Sequence, residues 1–220
     1  MHVRRLSVAL ILTAAVLGGC GSDPAPPATP PGAAGGAGPA ASPSGSSGGA
    51  GAAPAPSTAP PNGVDLLFAK MMIVHHDQAV RMSRDLVAKP GIPERAHAVA
   101  AYIAKDQQRE IEEMNAWLQA WGQPAVNPAD PALHRLHGRD GAAHGMVDET
   151  QVAAAGAAAP AEATRLFLRH MIEHHNGAIT MAQSALEDGR NAYVRQLSKH
   201  IVNEQTAENE AMRGMLTELN

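Results

Sequence analysis

Phe68, Met72, His75, Ala79, Met82 and Leu86 are spaced four, three, four, three, four, which draws one stripe down a helix. Ninety-nine residues later Phe167, Met171, His174, Ala178, Met181 and Ala185 redraw that stripe. The second histidine of each pair, His76 or His175, falls on the neighbouring stripe, with Ile73 and Val80 in one copy and Ile172 and Ile179 in the other. A second repeat runs at an offset of 98: Ile103, Gln107, Glu110, Met114, Trp117 and Leu118 answer to Ile201, Gln205, Glu208, Met212, Met215 and Leu216. No run of β-branched residues alternates with period two, so the pattern predicts an all-α chain built from two copies of one αα-hairpin.

Punctuation sets the boundaries. Asn62 or Asp65 can cap a first helix that runs to about Ala88 and stops at Lys89-Pro90-Gly91. Pro93 suits the first turn of a second helix, ended near Trp121 by Gly122 and Pro124. Pro160 opens a third helix ending at Asp188-Gly189, and Asn191 opens a fourth that continues almost to Asn220. Two hairpins of this kind, over 62–122 and 160–220, bury their seams together as a four-helix bundle. The connection from about 123 to 159 is long for a bundle, and Asp148 can cap a short helix over Glu149 to Ala155 within it. Such a connection could cross the bundle's length in ferritin-like fashion and make the first and third helices antiparallel; the sequence leaves that direction open.

Outside this domain the composition changes. Arg4 and Arg5 precede an apolar run from Leu6 to Leu17, and Leu17-Gly18-Gly19-Cys20 follows, which reads as a lipoprotein signal peptide over 1–19 with Cys20 as the lipidated residue. The expectation is a cell-membrane protein, lipid-anchored and facing the extracytoplasmic side; an ordinary signal peptide or short anchor is the alternative. Residues 20–61 are almost entirely Pro, Ala, Gly, Ser and Thr, a composition too poor in apolar surface to offset ordering entropy, and read as a disordered tether. Loss of Arg4 and Arg5 with the leader takes the formal charge from −4 to −6, so nothing suggests a nucleic-acid surface. Cys20 is the one cysteine, which excludes a disulfide, a thiolate metal site and a cysteine nucleophile from the folded part.

The seams carry chemistry as well as apolar surface. Folding each hairpin about its turn brings His75 level with Gln107 and Met72 with Glu110, and likewise His174 with Gln205 and Met171 with Glu208. Met72 and His75, or Met171 and His174, lie three apart on one face and can converge on one ion. His76 and His175 point roughly 100° away and meet a neighbouring helix or a second ion. Thioether prefers Cu(I), and imidazole serves Cu(I), Cu(II) and Zn(II) alike. Gln107, Glu110, Gln205 and Glu208 are then expected to orient the imidazoles through the ring nitrogen that does not face the metal. The competing reading is a structural or partner-binding scaffold, in which the polar layer fixes helix register and the methionines fill the core. In the connection, His134, His137, His144 and Met146 form either a copper-capturing arm or a solvated loop.

An enzyme is not expected. A di-iron oxidase on such a bundle needs Glu-x-x-His from two helices; Glu94-Arg95-Ala96-His97 supplies it once, and the fourth helix has no counterpart. No nucleophile setting and no Gly-rich phosphate loop stands out.

The paired Met-Ile-x-His-His-x-x-Ala-(Val/Ile)-x-Met segments and the paired Ile-x3-Gln-x2-Glu segments resemble the domain of unknown function 305 family over about residues 62 to 220. The resemblance implies a ferritin-like bundle, and some members are CopM-type periplasmic copper-binding proteins. It carries copper binding onto Met72, His75, His76 and Met82, and onto Met171, His174, His175 and Met181. Met71 aligns with His170 and Gln78 with Gly177, so a site relying on Met71 or Gln78 would not be duplicated.

Overall fold

The structure is a computed structural model that describes residues 59–138 and 144–219. The expected signal peptide, Cys20 and the tether up to residue 58 lie outside the described residues. Among the described residues six helices follow one another: α1 (Gly63–Ala88), α2 (Glu94–Ala120), α3 (Pro131–Gly138), α4 (Glu149–Ala157), α5 (Pro160–Asp188) and α6 (Ala192–Glu218). Among the described residues there is no strand, and no helix is long and apolar enough to cross a membrane.

The ends are set by capping chemistry. Asn62 and Asp65 form a reciprocal capping box at the start of α1, Asp148 and Gln151 form another on α4, and Asn191 caps α6 through the Tyr193 amide. Gly91 and Gly122 supply the left-handed residues that close the turns after α1 and α2. Pro93 stands just before α2 as its cap rather than inside the first turn, and α4 runs two residues past Ala155. The α3 helix was not legible in the sequence pattern, being a single short segment without a stripe.

Asp65 fixes how the halves meet. Its carboxylate is fully buried and accepts from Asn62 N at 2.8 Å and from Arg190 N and Asn191 N at 3.1 and 3.2 Å, so it ties the start of α1 to the turn before α6. Asn62 Nδ2 donates to Asp188 O at 2.9 Å. The beginning of α1 therefore sits against the end of α5, and the two central helices are antiparallel. α2 and α6 are antiparallel too: Trp117 stacks on Tyr193 at one end, with ring centroids 5.5 Å apart, and Arg95 pairs with Glu218 at 2.6 Å at the other. Because α2 ends where α1 began while α5 starts at the opposite end, the connection crosses the length of the bundle, as in ferritin-like folds. An approximate two-fold axis exchanges α1 with α5 and α2 with α6.

The core divides in two along this axis. Phe68, Met72, Met114, Leu118, Ala182 and Leu197 belong to one apolar cluster; Met82, Leu86, Ile103, Phe167, Met171 and Met212 belong to the other. His75 and His174 stand level with each other at mid-bundle, between them.

Candidate metal centre

Four imidazoles fill the layer between the two clusters. His75, His76, His174 and His175 are each 0% exposed. The His75 and His174 rings face each other across the axis with centroids 3.6 Å apart and planes 33° apart, while His76 and His175 stand outboard, 6.5 and 6.4 Å from their sequence neighbours.

Oxygen partners assign the protons. His75 Nε2 lies 2.8 Å from the His144 carbonyl, and His76 and His175 Nε2 each lie 2.7 Å from a carboxylate, Glu110 and Glu208 respectively. A carbonyl or carboxylate oxygen can only accept, so Nε2 donates in all three, and in the neutral ring Nδ1 keeps its lone pair. Each of those Nδ1 atoms is buried without a partner, and neither nitrogen of His174 has one. Buried nitrogens of this kind cost stability when left unmade, and an unshared imidazole lone pair is what a metal ion takes up. The unpartnered imidazole nitrogens are donors of the kind a transition-metal ion takes.

Glu110 and Glu208 reach the second histidine of each pair, one helical turn away from the level that counting about the hairpin turn gives. The reason is the tilt of helical side chains toward the helix N-terminus. In an antiparallel hairpin His76 and Glu110 lean toward each other, and so a carboxylate four residues beyond the level position is the one that arrives. Gln107 lies buried beside the layer with neither amide atom bonded, and Gln205 Oε1 is likewise unpaired. The expected hydrogen bonds from these two glutamines to the first histidines are not formed.

The connection contributes to the layer through His137 and His144. His137, 2% exposed, donates from Nε2 to Met71 O at 2.9 Å, and its ring centroid lies 6.0 Å from that of His75. His144 supplies the carbonyl that holds His75 and meets His137 edge-on at 5.7 Å. The two copies receive this segment differently. Gln78 makes a two-way amide pair with Val147, Nε2 to O and N to Oε1, both at 2.8 Å. Gly177, its counterpart, clears the way: a Cβ there would stand 1.7 Å from His144 O. The clustered histidines of the connection were the available signal, but no periodicity linked them to α1. His134 and Met146 are half-buried on its surface.

Burial pushes the His75 and His174 imidazoles well below the usual histidine range, and neighbouring rings, His76 for the first and His75 for the second, push the same way. The His144 carbonyl pulls His75 partly back. Both rings are thus neutral at ordinary pH.

Met72 and Met171 are fully buried, one turn from the His75 and His174 pair on opposite sides of it. Met82 and Met181 lie two turns from the paired histidines, about 10 Å along the helix, Met82 against Leu86 and Phe167 and Met181 in a groove with Phe68 and Ala185. One ion cannot take both a methionine of this second pair and its own helix's first histidine. His170 is half-buried near Met82 and Phe167, and burial lowers its pKa. Among the described residues the buried histidines do not bring three ligand atoms within 4.8 Å of one another; the trio that does is Asp106, His200 and Glu204, at the surface between α2 and α6. Glu94 and His97 are exposed, away from any inward-facing di-iron site.

The fold recurs in solved structures. A DUF305 fragment from Deinococcus radiodurans superposes with a TM-score of 0.63 at 29% identity, over 73% of this chain and 99% of that one. A putative secreted DUF305 protein from Streptomyces coelicolor gives 0.62 at 29%, over 71% and 93%. CopM in its Cu(I)-bound form gives 0.55 at 28%, over 70% and 96%, and CopM also has Cu(II)-bound and silver-bound forms. No curated protein matches the chain. The family model described as a domain of unknown function, DUF305, matches residues 65–216, and with the doubled His-His stripe and the antiparallel hairpins in place, the chain belongs to that family.

Proposed function

We propose that this protein is a lipid-anchored, extracytoplasmic copper-binding protein that sequesters the ion rather than transforming a substrate. The observation that carries this reading is the set of buried, unpartnered Nδ1 atoms on His75, His76, His174 and His175, gathered from both halves into one layer. Since the imidazoles do not close in threes, thioether from Met72 or Met171 would complete the coordination, and a nitrogen and sulfur donor set suits Cu(I). Glu110 and Glu208 would hold His76 and His175 in the Nε2-protonated form that leaves Nδ1 to the metal. Copper-loaded and silver-loaded CopM structures support the choice of a soft ion. The anchor rests on Leu17-Gly18-Gly19-Cys20.

Competition for Cu(I) against a chromogenic chelator tests the site. Changing His75, His76, His174 and His175 together to Ala should weaken Cu(I) at least a hundredfold while circular dichroism still reports a helical chain. Equal affinity in the helical variant would leave the layer as a register-fixing device and the protein as a scaffold. Metabolic labelling with palmitate, lost in Cys20→Ala, tests the anchor.

A further inference from the structure

We propose a second metal site, for a divalent cation of the zinc or Cu(II) type, where the two-fold axis emerges between α2 and α6. Its ligands are Asp106, His200 and Glu204, whose donor atoms already lie within 4.8 Å of one another. One imidazole and two carboxylates suit a borderline divalent ion, in contrast to the thioether and imidazole set inside.

A buried group points into the same place. Glu110 is 2% exposed; its Oε2 is occupied by His76, but its Oε1 has no hydrogen-bond partner and lies 3.4 Å from His200 Nε2. This oxygen touches the cluster through His200 alone and stands outside the set of three donors, so Glu110 adjoins the site from below without being one of its ligands. With His200 on one oxygen and His76 on the other, Glu110 links the surface cluster to the buried imidazole layer.

The repeat explains why the cluster exists once. Asp106 and Glu204 are mates at the offset of 98, as are Tyr102 and His200, so these four residues map onto themselves across the axis. Had both copies kept tyrosine, the cluster would be two carboxylates and two phenols; histidine at 200 in one copy alone creates the ligand set. Tyr102 donates its hydroxyl to Glu204, His200 Nε2 stands 2.5 Å from Glu204 Oε2, and Arg109 holds Asp106 through Oδ1. Cation binding therefore has to replace the His200 contact with Glu204 and loosen the Arg109 pair on Asp106.

Zinc titration of the full chain by calorimetry decides the matter. Expected is one zinc equivalent that His200→Ala abolishes or weakens at least tenfold, as does Asp106→Asn with Glu204→Gln, and that His75→Ala with His174→Ala leaves in place. That last arm separates this site from the copper layer, which can fail or stand independently. The proposal falls if wild type takes up no zinc, if both surface variants bind zinc as wild type does, or if only the buried variant loses it. The three surface side chains are partly exposed, so their replacement leaves the fold testable by circular dichroism.

Discussion

The two halves share a stripe and divide the labour around it. On α1 the position facing the connection is Gln78, which grips Val147 by two hydrogen bonds; on α5 it is Gly177, which lets the His144 backbone lie directly on the helix. At the helix starts Asp65 binds the turn before α6, whereas its counterpart Thr164 only returns a hydrogen bond to Pro160 O on its own helix. The histidines that meet on the axis are the same in both halves. Duplication thus fixed the layer, and departures from it accommodate the one crossing segment that a two-fold arrangement cannot duplicate.

Breaking the seat of the connection on α5 tests this contrast. Gly177→Ala puts a methyl group into backbone that cannot retreat without moving the connection, and should cost about 3 kcal/mol in urea unfolding. Gly156→Ala, which meets nothing, should be neutral or stabilising; equal effects at the two sites would mean the connection yields freely.

Acid should act through the shared pair. Because burial holds His75 and His174 below the unfolded value of about 6.5, the unfolded chain binds more protons in acid, and stability falls as pH drops below that value. Two such groups give a slope of about 2.7 kcal/mol per pH unit until the folded rings titrate, with half of it removed by His174→Leu. A flat profile between pH 6.5 and 5 would show the rings to be hydrated.

Smaller effects separate the outer positions. Gln78→Ala gives up two buried hydrogen bonds, about 2 kcal/mol, and Asp65→Ala should cost more than Thr164→Val, about 2 against about 1 kcal/mol. Guanidinium melts of the two single variants check the order; a larger loss from Thr164→Val would reverse the assignment of Asp65 as the tie between halves.

Sequence periodicity reached the four long helices, their caps and the stripe that carries the histidines, because an apolar seam interrupted by polar residues is a local signal repeated twice. It did not reach the direction of the crossing, which depends on Asp65 meeting Arg190 and Asn191 in space. Nor did it reach the pairing of Glu110 with His76, since counting levels ignores the lean of side chains toward the helix start. The same holds for His137, which is held by the Met71 carbonyl, and for His144, whose backbone lies on the open face that Gly177 leaves. Asp106, His200 and Glu204 were hidden because they lie on the outer side of the seam, where polar residues are the rule.

Copper binding in this bundle depends on lone pairs from both halves meeting in one buried layer. Crystals of the chain loaded with Cu(I), measured across the copper absorption edge, test this directly. An anomalous peak within bonding distance of nitrogen from His75 or His76 and from His174 or His175 is the predicted result; copper confined to the bundle surface, with all four rings held as they are without it, would contradict it.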